Sequence, residues 1–176
     1  RDTLISAVYL NSPAAKCGLK AGDIVRSVDN TDIFSSSQLQ TIITSSPAKK
    51  KIKLSVEREK KKMLFRCVVR DRDKWQQEKS KWFENMIGIQ TREVTPDISR
   101  KLGFIGLKGM FITDTILRRP AQKEGLRAGD VILAVNSGHR IRSKSDYLLS
   151  VSRLTERNVL LTILRGEYFF TIQLSF

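Results

Sequence analysis

Hydrophobic positions along the chain fall into short alternating runs broken by polar, glycine-bearing turns, the pattern of small antiparallel sheets with a few capping helices. Residues 4–10 alternate apolar and small side chains as a half-buried strand does, and Ile24–Val28 reads as a second strand. Ser35, Ser36 and Ser37 offer an N-cap to a helix carrying Leu39, Ile42 and Ile43 on one face, which Pro47 stops. Ile52, Leu54 and Val56 then alternate with Lys53, Ser55 and Glu57, and residues 64–69 return as the second arm of a hairpin. Farther on, strands are expected at residues 90–94, 109–115 and Val131–Val135. A short helix opens at Thr95-Pro96, a second helix spans residues 143–154, and a closing hairpin turns at Arg165-Gly166-Glu167.

Two of these stretches are nearly the same. PAAKCGLKAGDIVRSV, beginning at Pro13, returns as PAQKEGLRAGDVILAV at Pro120, which is 120 − 13 = 107 positions later. The same offset carries Gly18, Leu19 and Asp23 onto Gly125, Leu126 and Asp130, and Ile52, Leu54, Val56 and Arg58 onto Val159, Leu161, Ile163 and Arg165. The chain is therefore expected to hold two copies of one module: a first over residues 1–69, a charged connector over 70–84, and a second over 85–176. Carried back by the offset, the strand near Gln90 finds no counterpart, so the first copy lacks its opening strand, and the chain reads as a soluble piece of something longer. In the connector, Trp75, Trp82 and Phe83 are expected to pin it to a module.

Charge and chemistry narrow the picture. Thirty-two Lys and Arg against eighteen Asp and Glu leave a net charge of +14 over 176 residues, which brings anionic partners into view. The basic residues fall in turns, without interleaved aromatics or a recognition helix, so nucleic acid is not expected. A docking role on an anionic membrane or an acidic protein would use residues 49–51, residues 60–62, Arg118 and Arg119. Cys17 and Cys67 give no metal spacing and are expected as two free, core-facing thiols. His139 is the one histidine, in an expected turn, and no nucleophilic triad or metal site can be assembled around it, so the chain is expected to be non-catalytic, without cofactor or metal. Gly103, Gly106 and Gly109 lack the lysine of a phosphate loop and are expected to set turns.

The most specific signal for function is Met86-Ile87-Gly88-Ile89 ahead of the strand Gln90, Thr91, Arg92. A free peptide carboxylate needs convergent backbone N–H groups from a tight, apolar-flanked turn, beside an open strand edge. Gly88 permits close approach, Met86, Ile87 and Ile89 line a pocket, and Tyr147, Leu148 and Val151 of the helix near residue 147 face the groove. Read on periodicity alone, the same residues equally suit the ordinary first strand of a small barrel.

These residues, together with Glu93-Val94-Thr95-Pro96-Asp97-Ile98, Lys101-Leu102-Gly103 and the duplicated stretch, resemble the PDZ domains of the HtrA/Deg family of serine proteases. The resemblance covers residues 85–176 end to end, and the first copy from the strand before Pro13 onward. It implies a mainly β fold, two partly open β-barrels with two helices each. It further implies capture of C-termini or extended segments of unfolded proteins by β-augmentation, and a parent that is a serine endopeptidase, extracytoplasmic and periplasmic or membrane-associated, able to homo-oligomerise. The PDZ tandem of site-two membrane metalloproteases is the alternative within the same resemblance. Arg118-Arg119 and Gln122 depart from the family pattern ahead of and within the repeat, and Met86 stands where the family commonly has an aromatic residue.

Overall fold

The computed structural model of the chain describes residues 3–136, 138 and 140–176, so the expectation placed on His139 lies outside the described residues. The chain divides into two units, Arg1–Trp75 and Gln76–Phe176. In the first, β1 (Thr3–Leu4), α1 (Pro13–Lys16), β2 (Ile24–Val28), β3 (Thr31–Asp32), α2 (Ser36–Ser45), β4 (Lys51–Arg58) and β5 (Lys61–Val68) follow the sequence pattern closely. The strands form an antiparallel sheet in the order β1-β2-β4-β5, with β3 paired to β2. Ser12 and Ser35 cap α1 and α2 by accepting the N–H groups of Ala15 and Gln38. Val25, Val28, Ile52, Leu54 and Val56 form the core, with Leu39, Ile42 and Ile43 of α2 packed on it.

A 16-residue helix, α3 (Arg72–Ile87), carries the boundary between the units. The second unit continues with β6 (Ile89–Glu93), α4 (Pro96–Lys101), β7 (Met110–Thr115), α5 (Pro120–Lys123), β8 (Val131–Val135), α6 (Lys144–Ser152), β9 (Asn158–Arg165) and β10 (Tyr168–Ser175). Its sheet runs β10-β9-β8-β7-β6, again antiparallel. The fold is mainly β, with two open sheets and no closed barrel. The expected pair of helices per module holds for the first; the second has α4, α5 and α6 besides most of α3.

The duplicated stretch has a physical cause beyond its turns. Asp23 and Asp130 are both buried, and each accepts two hydrogen bonds from an arginine of the closing hairpin. Arg58 Nε and Nη2 reach Asp23 at 2.6 and 2.8 Å, and Nη2 reaches the Gly18 carbonyl at 2.8 Å. Arg165 repeats this on Asp130 at 2.7 and 2.8 Å and on the Gly125 carbonyl at 2.7 Å. Each aspartate also caps the preceding turn, at Lys20 N–H and Arg127 N–H. The Gly-Leu-x-Ala-Gly-Asp pattern thus locks the α1 or α5 turn to the hairpin through one bidentate ion pair.

Three expectations change. The strand expected over residues 4–10 is only Thr3–Leu4. In the second unit the equivalent strand β7 pairs with β8 at Met110 and Phe111 alone and is carried on to Thr115 by β6, which has no counterpart among the described residues of the first unit. Cys17 and Cys67, expected as free thiols, are bonded as a disulfide that ties α1 to β5, with Cα atoms 5.2 Å apart. The charged stretch expected as a connector rather than a core element is a helix from Arg72 onward with a buried stripe. Asp71 accepts the Lys74 N–H at its start, good helix formers fill it, and Lys79, Ser80, Phe83 and Ile87 make a buried stripe. The aromatic residues do pin it: within the second unit Trp82 and Phe83 meet the Phe176 ring edge-on at 5.8 and 5.5 Å, and within the first Trp75 Nε1 donates to the Asn11 carbonyl.

Candidate functional site

β6 is the last strand of the second sheet: β7 pairs with one margin, and among the described residues no strand pairs with the other. Gln90 and Arg92 are exposed and Thr91 is half-buried. In α6, Tyr147 and Val151 are fully buried and Leu148 half-buried, and the Tyr147 hydroxyl reaches Thr91 of β6. Ser143 caps α6 by accepting the Asp146 N–H. Of the groove strand and groove helix named from the sequence, the contact the structure gives is that of the Tyr147 hydroxyl with Thr91.

The four residues expected as a carboxylate loop form a tighter structure. Met86 and Ile87 are the last residues of α3, Gly88 stops the helix with φ +81°, and Ile89 begins β6. The Gly88 N–H donates to the Glu84 carbonyl at 2.8 Å, and the Gly88 carbonyl accepts the Ile116 N–H at 2.9 Å. A Cβ added at Gly88 would lie 2.2 Å from Arg119 Cβ, so the chain crosses itself closely there.

α3 touches both β6 and α6. Glu84 accepts a 2.7 Å hydrogen bond from Thr91 Oγ1 on β6, while Lys79 Nζ donates to the Ser152 and Leu154 carbonyls at the end of α6, at 3.1 and 3.3 Å. Phe83 and Ile87 are fully buried beside them. The Tyr147 hydroxyl lies against Glu84, Ser80 and Thr91 but makes no hydrogen bond of standard geometry among the described residues. Burial drives the titrations here. It lowers the Lys79 ammonium to about 8 and raises the Glu84 carboxyl, against the opposing hydrogen bond from Thr91. Burial, and then the Glu84 charge, push the Tyr147 phenol well above its ordinary range. The sequence reading missed Lys79, Ser80 and Glu84; their signal was the four-residue spacing 79, 83, 87 inside a stretch that is polar on average.

The first unit holds a cavity of about 670 Å³ lined by Ile5, Val8, Leu19, Leu39, Ile43 and Trp75 among others. By the 107-residue offset Ile5 and Val8 correspond to positions of β7, and Leu39 and Ile43 to positions of α6.

Comparison with known proteins gives the family of both units. Models of the PDZ domain match residues 4–58 and residues 79–163, one in each unit. The chain is a tandem of two PDZ domains. Its curated relatives include a probable DegP-like periplasmic serine endoprotease of Marinomonas sp., 29% identical over 94% of this chain and 35% of that protein. They also include the periplasmic serine endoprotease DegP of Salmonella typhimurium, 29% identical over 77% of this chain and 26% of that protein. This chain thus spans about a third or less of the length of these relatives, and the family matches in it are both to PDZ domains. Among solved structures, an HtrA3 PDZ domain bound to a phage-derived ligand (FGRWV) is similar over 51% of this chain and 81% of that one, with 28% identity and a TM-score of 0.42. Among the described residues of this PDZ tandem, no helix is long and apolar enough to cross a membrane.

Proposed function

We propose that this PDZ tandem is a non-catalytic peptide-binding module whose second domain captures C-termini or extended segments of unfolded proteins by β-augmentation along β6. The observation that carries this reading is the outer margin of β6, left without a strand partner among the described residues. An added strand pairs its main chain there irrespective of sequence, and the apolar surroundings of Ile87, Ile89, Tyr147, Leu148 and Val151 favour Val, Leu, Ile, Ala or Phe as the last residue. The Gly88 turn then receives the carboxylate. The parent is read as an HtrA-like serine endopeptidase that the tandem regulates or supplies with substrate, and its assembly into oligomers would raise a modest single-site affinity through avidity. The Cys17–Cys67 disulfide supports an extracytoplasmic, oxidising location, in keeping with the periplasmic relatives.

The test is a titration with a labelled decapeptide ending in Val, as the free acid and as the C-terminal amide. Loss of the charge-assisted hydrogen bonds should weaken the amide about tenfold or more. Equal affinity for the two forms removes Gly88 as a carboxylate site.

A further inference from the structure

We infer that the C-terminal half of α3 is a resident occupant of the second domain's groove, a built-in latch that must leave before a polypeptide can pair with β6. This rests on the reading of the groove as a peptide site. Its first support is placement. The helix bridges β6 and α6, through Glu84 to Thr91 on β6 and through Lys79 to the carbonyls of Ser152 and Leu154 at the end of α6, with Phe83 and Ile87 of the same helix fully buried and Phe83 against the Phe176 ring.

Its second support is competition for the same donor. The Gly88 N–H is already bonded to the Glu84 carbonyl, and Ile87 lies within the helix, so a carboxylate reaches these groups only when the last turn of α3 unwinds.

The third is that α3 suits the groove imperfectly. As a helix it bonds its own backbone internally and leaves the outer margin of β6 without a strand, which an extended ligand would supply. It also buries an ammonium and a carboxyl group, and leaves the Tyr147 hydroxyl without a well-formed hydrogen bond. An extended ligand therefore gains main-chain pairs that the latch does not make, and its removal relieves the burial of Lys79 and Glu84. That is the energetic profile of an occupant held in place and open to displacement.

The test uses the full chain, with hydrogen exchange of residues 83–88 followed alongside titration of the free-acid decapeptide. Lys79→Glu sets a negative charge against the carbonyls of Ser152 and Leu154 and should release α3. The account expects about tenfold tighter peptide binding by this variant than by the wild type, since the wild type is mostly latched. It also expects faster exchange at residues 83–88 of the wild type when peptide is saturating. That second measurement stands by itself should the variant fail to fold. Equal affinities, with these amides equally protected with and without peptide, overturn the latch and leave the peptide site intact. Fast exchange in Lys79→Glu with no peptide binding by either protein overturns the peptide site, and the latch with it.

Discussion

Asp23 and Asp130 show how much one position can organise. Each is a buried carboxylate that fixes a turn through a backbone N–H and a hairpin through a bidentate arginine. Removing Arg58 would leave Asp23 buried and charged, so Arg58→Met should lower the urea midpoint of the first domain. The pH dependence follows from the same pair. The hydrogen bond from Arg58, above all, holds the Asp23 carboxyl below its usual range, burial opposing it. A depressed folded-state value means stability that is present above about pH 4, where the unfolded aspartate is also ionised, and that is lost as pH falls through the folded value. Asp23→Asn should therefore flatten the acid limb of the stability curve, and an unchanged limb would contradict the pairing. At Gly88 the backbone decides. With φ +81° and Arg119 Cβ lying 2.2 Å from any added Cβ, Gly88→Ala should cost about 2 kcal/mol or more in thermal unfolding, so it cannot serve as a silent probe of binding.

At the level of elements, most of the fold was legible because its signals are local. Alternation at Ile52, Leu54 and Val56 gave β4, a serine cap gave α2, and the repeat gave the second hairpin from the first. α3 was not legible because its stripe is narrow: Phe83 and Ile87 are diluted by lysines, glutamines and glutamates, and the module boundary expected at residue 84 divides the helix before its last turn. With α3 unrecognised, the helix that bonds Thr91 and the end of α6 went unseen. Lys79 offers a check on its burial. A lysine lowered to about 8 when folded, and near 10.4 when unfolded, binds fewer protons in the native state between those values, so stability rises with pH there. The second domain should gain on the order of 2 kcal/mol between pH 8 and 10.5, and Lys79→Met should abolish that rise. A flat profile in the wild type would place the ammonium in water.

For the whole molecule, duplication was visible at once and the disulfide was not. The offset takes Cys17 and Cys67 to Glu124 and Leu174, so the second domain gives no hint of a bridge, and a sequence separation of 50 says nothing about Cα distance. Closing a loop of that length contributes about 4 kcal/mol in the chain-entropy account. Reduction should therefore lower the thermal transition of the first domain and leave that of the second where it was. A shift of both together would mean that the units do not unfold independently. The central claim, that a polypeptide end is held between β6 and α6, is tested most directly by amide chemical-shift mapping on titration with the Val-ended peptide. The account predicts the largest shifts at Gly88, Gln90, Thr91, Arg92, Tyr147, Leu148 and Val151; shifts confined to the basic turns at residues 49–51 and 60–62 would contradict it.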